Sequence, residues 1–247
     1  MLNEKEINRL RENAKVHKEV FDEIRKRVKN GTKATEINAL CHEIAKKHNV
    51  VCGFKGVYGF PDNICVSVND VVVHGRARED LVLKDGDLVT FDFGIRDKKY
   101  GVNTDAAISM VVGGDDKNPT AAKMIEVNKK ALYAGIAKAR AGNRVGDISA
   151  AIQAEIVSGG FHVVRDLTGH GIGKNLHEKP YVYNYGNPGS GPVLKAGMTL
   201  AIEPILGETS GKIVDEGDWE IYIEDGSLGC QYEHTILITE GEAEIII

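Results

Sequence analysis

Four acids sit where their neighbours are expected to bury them: Asp92 in LVTFDFGI, Asp105 in NTDAAISMVV, Glu203 in TLAIEPIL and Glu233 in QYEHTILI. A buried carboxylate without a partner is costly, so one such acid suggests a solvent-facing side chain, while four suggest shared cations. They bracket LTGHGIGKNLHEKP, where His170 and His177 are seven residues apart in a glycine-rich segment. Glycine neighbours leave room for a ligand or another backbone beside His170, although a plain turn has the same composition. His74, next to Gly75 at the end of SVNDVVVHG, is as compatible with a satisfied core histidine as with a site. Together these residues read as a metal site.

The chain must then supply a core large enough to carry that site. Its 247 residues are 42% hydrophobic and 27% charged, ordinary for a globular protein and far from a disordered composition. A net charge of -5 gives nucleic acid no support as the main ligand. No run approaches the roughly 20 apolar residues of a membrane span, and MLNEKEINRLREN lacks the apolar core of an export signal, so a cytoplasmic location is expected. Cys41, Cys52, Cys65 and Cys230 form no C-x-x-C pair and read as reduced thiols.

The positioning elements follow from pattern. Ile7, Leu10, Ala14, Phe21, Ile24 and Val28 step by threes and fours behind an Asn3/Glu6 capping box, with His17 as the one polar rung, up to Asn30-Gly31. A second helix is expected after Thr35 as N-cap, ending near His48. NICVSVNDVVVHG alternates, which puts Val66, Val68, Asp70, Val72 and His74 on one side. Leu88 to Val112 reads as a hairpin turning near Asp97 to Tyr100; pairing Arg96 with Gly101 sets Asp92 directly opposite Asp105. A helix opening at Asn118-Pro119 and closing at Gly142 is followed by another over VGDISAAIQAEIVSGG. Gly31, Glu36, Ile37 and Ala39 recur as Gly142, Asp147, Ile148 and Ala150 at a constant offset of 111, a weak repeat that suggests two similar halves about a pseudo-twofold axis. GNPGSG, Gly186 to Gly191, is a loop within one domain spanning 1-247.

SVNDVVVHG, DGDLVTFDFG, TGHGIGKNLHEKP, MTLAIEP and QYEHTILIT together resemble the type I methionine aminopeptidases over nearly the whole chain. The resemblance implies an α/β (α+β) pita-bread fold, a pseudo-symmetric sandwich of curved antiparallel sheet backed by helices. It implies two divalent metal ions (Co, Mn, Fe or Zn): Asp92 would hold one, His170 and Glu203 the other, and Asp105 and Glu233 would bridge both. Such an oxygen-rich donor set suits these ions better than thiolate-seeking metals. Glu203 would be the general base, His177 would donate to the developing oxyanion and His74 would contact the scissile amide. Phe60, Cys65, Leu176, Ile205 and Trp219 would form the methionine pocket. The implied partners are N-terminal methionyl peptides and nascent chains, with the ribosome as a further contact and a monomer as the working form.

This chain departs from the family pattern at three places. Asp92 and Asp105 are two residues further apart than usual, an even insertion that keeps both on one face and belongs in the turn. Arg76-Ala77 stands where isoleucine and proline are common, and Val57 replaces a frequent aromatic at the pocket rim. Prolidases and X-Pro aminopeptidases share the fold and ligand set, but carry a sizeable N-terminal domain. Type II enzymes insert a helical region between the His170 and Glu203 positions, for which 33 residues leave no room. Non-enzymatic pita-bread proteins have lost ligands that are all present here.

Overall fold

The computed structural model describes residues 1–247. Two helices, α1 (Glu4–Arg27) and α2 (Ala34–Lys47), precede β1 (Val50–Cys52), β2 (Cys65–Val68), β3 (Val71–Val73), β4 (Leu88–Asp97) and β5 (Asn103–Val111). A second helix pair, α3 (Pro119–Ile136) and α4 (Val145–Ser158), is followed by β6 (His162–Val163), β7 (Thr168–Gly171), β8 (Glu178–Tyr183), β9 (Thr199–Ile202) and β10 (Ile205–Gly207). The chain closes with β11 (Ile213–Asp215), β12 (Ile221–Ile223), β13 (Gly229–Gln231), β14 (His234–Leu237) and β15 (Glu244–Ile245). All strand pairing is antiparallel, with the helices laid against one side. This is the helix-backed antiparallel sandwich that the resemblance implies.

The internal repeat is much stronger in three dimensions than in sequence. The helices α2 and α4 begin and end 111 residues apart, and so do the β-bridges Lys33↔Val82 and Arg144↔Val193 that enter them. Gly31 and Gly142 both adopt φ 88° and donate to Leu83 and Leu194, again at the same offset. Carried forward, the offset superposes Asp92 on Glu203, so two of the four acids are pseudosymmetry mates. The halves meet beside these acids. The backbones of Ala107 and Glu233 exchange two hydrogen bonds, and Thr235 Oγ1 bonds both N–H and C=O of Asp105.

Strand β4 explains how an acid is placed in an apolar run. Its residues alternate between faces, and Phe91, Phe93 and Ile95 are fully buried on the helical side, where His17 of α1 meets the Phe93 ring edge-on. Thr90, Asp92 and Gly94 therefore take the other face, from which Asp92 enters the cleft. A Cβ at Gly94 would lie 2.5 Å from the Phe54 ring, so the missing side chain is what lets Phe54 form the cleft wall. His17 is no ligand: burial lowers it to about 3, and it faces Thr104 Oγ1 at 3.0 Å as a neutral core histidine.

Several local expectations need correction. The hairpin register pairs Arg96 with Asn103 rather than Gly101, so Asp92 faces Ala107 and Asp105 faces Gly94. The cause is Asp97, whose carboxylate accepts from the N–H groups of Lys99 and Tyr100 and from Arg9, widening the turn. The shift is even, so both acids stay on one face, as diagonal rather than direct neighbours. SVNDVVV is not one strand, because Asn69 at φ 56° turns the chain between β2 and β3. The cap of α2 is Lys33, with no side-chain hydrogen bond, in place of Thr35; α3 ends at Ile136, short of Gly142. The Asn3/Glu6 capping box and the Asn118-Pro119 start stand as read.

Candidate metal centre

All twelve residues singled out in the sequence line one cavity of about 310 Å³ between the two halves. Asp92 comes from β4, Asp105 from β5 and His170 from β7, while Glu203 follows β9 and Glu233 lies between β13 and β14. Ligand atoms of Asp105, His170 and Glu233 lie within 4.8 Å of one another. His170 Nε2 is 3.6 Å from Glu203 Oε1, and Gln231 Nε2 reaches Glu203 at 3.1 Å and both Asp92 and Glu233 at 3.4 Å.

The donor chemistry fits divalent ions. The carboxylate oxygens Asp92 Oδ1, Asp105 Oδ1 and Glu233 Oε1 are buried and have no hydrogen-bond partner, and no lysine or arginine lines the cavity. His170 Nδ1 lies 2.9 Å from the Gly171 carbonyl, which can only accept, so Nδ1 carries the proton. Nε2 is then a lone pair facing a carboxylate. Two acceptors pointed at one another across a buried gap are what a cation would reconcile. Burial is also the leading cause of the shifted proton affinities. It pushes Asp92 up to about 7, holds Asp105, Glu203 and Glu233 well above the usual carboxylate range, and lowers His170 to about 4.

That linkage has a sign. Carboxyls raised in the fold keep protons that an ion must displace, so the stabilisation contributed by a bound divalent ion is smallest near the unfolded carboxylate value and grows as pH rises toward 7. Buried His17, lowered to about 3, also adds stability as pH rises, but it lies away from the acids and contributes to both arms. The expected result is that the difference in Tm between metal-loaded and metal-stripped protein widens between pH 5 and pH 7.5 (Mn2+ and chelator arms). A constant or shrinking difference would contradict the assignment.

The pocket beside the acids is apolar. Phe54, Phe60, Cys65 and Leu176 are buried together, and Trp219 meets Phe60 edge-on at 5.5 Å and 82°. His177 sits across from His170, ring edge to face at 4.5 Å, and Tyr58 stacks over it at 6.3 Å and 9°. Val57 leaves the rim aliphatic, but Tyr58, 80% exposed, supplies an aromatic one residue later. Sequence reasoning missed Tyr58, Thr168, Tyr181 and above all Gln231. Gln231 was legible in principle: it stands two residues before Glu233, at the spacing of one face of an extended chain, in QYEHTILI.

Residues 8–240 match metallopeptidase family M24. The chain is 41% identical to a methionine aminopeptidase of Clostridium perfringens, covering 99% of this chain and 96% of that one. It is 38% identical to methionine aminopeptidase 1 of Bacillus subtilis, covering 98% and 96%. The crystal structure of methionine aminopeptidase from Thermotoga maritima superposes with a TM-score of 0.95 at 40% identity, covering 99% of this chain and 97% of that one. A prolidase from Pyrococcus horikoshii shares the fold at 22% identity and a TM-score of 0.77, and the chain spans only 62% of it. A match across nearly the whole length, with the acids and histidines gathered in one cleft, establishes that the chain belongs to metallopeptidase family M24 and groups there with the methionine aminopeptidases.

Proposed function

We propose that this chain removes the N-terminal methionine from peptides and nascent proteins by hydrolysis, as one catalytic domain over 1-247. The observation that carries the reading is a buried set of unpaired carboxylate oxygens beside an apolar pocket in the same cavity. Asp92 would hold one divalent ion, His170 and Glu203 a second, with Asp105 and Glu233 shared between them. Bound ions would polarise the scissile carbonyl and ionise water near neutral pH. The chain's own residues do the rest. Phe60, Cys65, Leu176, Ile205 and Trp219 enclose the thioether side chain, which is flexible and polarisable enough to fill such an irregular apolar site. Glu203, ionised once a bound ion has displaced the proton that burial favours, would take a proton from the attacking water and pass it toward the leaving amine. His177 and His74 are held neutral by burial, and each retains one N–H to donate to the carbonyl oxygen and the amide.

No helix is long and apolar enough to cross a membrane; the working form proposed is a cytoplasmic monomer acting on chains as they leave the ribosome. The deciding assay is methionine release from Met-Ala-Ser against cleavage of Gly-Pro, with added divalent metal. Release from the first alone is expected; cleavage of Gly-Pro would favour the X-Pro alternative. The chain's own start gives a second check. Leu2 is bulky, so a site that prefers a small second residue leaves Met1 in place. Intact mass spectrometry of protein made in cells should show nearly all molecules with Met1, and general loss of it would remove that preference.

A further inference from the structure

We infer that Glu220 is a positioning residue that locks His74 and Trp219, beyond the adjoining ends of two paired strands of the cleft wall, into one rigid unit. The selectivity arm of this inference rests on the methionine-pocket reading above. The strands β3 and β12 pair through Val73↔Ile221, and the ladder stops there. Just beyond its end, His74 adopts φ 58° and Trp219 φ 86°, left-handed conformations that are strained for side chains of this size. Such residues persist only where the surroundings over-determine them.

What over-determines them is polar. The three backbone N–H groups after His74 each find a side-chain acceptor: Gly75 donates to Ser67 Oγ at 3.0 Å, Arg76 to Glu220 Oε1 at 2.9 Å and Ala77 to Asp62 Oδ2 at 3.1 Å. Only Glu220 comes from the segment that carries Trp219 into β12. Its second oxygen accepts from the Arg78 guanidinium and from the Tyr222 hydroxyl, so both oxygens are engaged although the residue is 2% exposed. Removing one partner of a buried, hydrogen-bonded charge leaves the other uncompensated, so the arrangement is held as a whole. Gly75 completes the close approach, since a Cβ there would lie 2.2 Å from the Val66 carbonyl oxygen. Arg76-Ala77, which lacks the stiffness of a proline, is thus fixed by two carboxylates instead. The wall that faces a methionine side chain and the histidine that faces the amide share one anchor.

Trp219 is the only tryptophan in the chain, so its emission reports on the wall directly, without substrate or metal. In metal-stripped Glu220→Ala, emission should shift to the red and acrylamide quenching should rise at temperatures where circular dichroism shows the protein folded. With metal, the preference for Met-Ala-Ser over Leu-Ala-Ser should fall about tenfold, the scale on which an apolar pocket discriminates. Metal content should match wild type. Glu220→Gln, which keeps an acceptor for Arg76 N–H, should fall between the two. Arg78→Met removes a side chain that is 43% exposed, and decides the matter if Glu220→Ala does not fold; it should show the same changes in weaker form. A lower Tm with unchanged Trp219 emission and unchanged preference, in any folded variant, would reduce Glu220 to a stabilising residue and overturn the inference. If the wild-type protein cleaves neither peptide, the function proposal fails, while the fluorescence arm still decides the clamp.

Discussion

Asp105→Ala is expected to lose tightly held metal and peptidase turnover together while the protein stays folded. Asp105 is one of three residues whose ligand atoms crowd within 4.8 Å, and its Oδ1 is buried without any hydrogen-bond partner. That oxygen therefore has no partner to lose in the metal-free fold. Burial holds the group protonated instead, and its backbone, rather than its side chain, ties the two halves through Thr235. Truncation should leave the thermal transition of stripped protein unchanged or raised, because a poorly solvated carboxyl is removed from a crowded acidic cluster. Turnover on Met-Ala-Ser should drop at least about 1,000-fold, beyond the 100- to 1,000-fold typical of losing one hydrogen-bond donor. The measurements are elemental analysis and peptide hydrolysis on one preparation. Two tightly held ions in the variant would sink the assignment of Asp105 as a bridging ligand.

The site was legible because each acid violates its own surroundings. Asp92 keeps the strand alternation but puts a charge between Phe91 and Phe93 in an apolar run, and the structure turns its face into the cleft. What the sequence could not supply was anything dependent on turn chemistry. The hairpin register depends on how many N–H groups Asp97 captures, and the break between β2 and β3 on one left-handed asparagine. The repeat was underread for a related reason. Only a few side chains persist at the offset of 111, while the shared backbone bonding at Gly31 and Gly142, which the second helix of each half requires, carries almost no sequence signature beyond the glycine itself. Glu220 was invisible because its role is set by which strand ends beside it.

The two histidines of the glycine-rich segment should separate under substitution. His170 lies in β7 with its proton fixed on Nδ1 by the Gly171 carbonyl, so its free Nε2 faces Glu203 at 3.6 Å, within the acid cluster. His177, seven residues later, has an aromatic environment instead: His170 edge-on on one side and Tyr58 stacked on the other, with no carboxylate in a salt bridge or hydrogen bond with it. Burial lowers its proton affinity, so near neutral pH it is an imidazole with one N–H to donate. His177→Ala should therefore keep both metals and lose about 100- to 1,000-fold in kcat with little change in KM, the pattern of an interaction made mainly in the transition state. His170→Ala should weaken metal binding itself, and excess metal should recover part of its rate. Turnover of Met-Ala-Ser across a metal titration, run on both variants, distinguishes them. Rescue of His177→Ala by metal would make it a ligand, and a wild-type rate would leave it without a part in the chemistry; either result removes the role assigned to it.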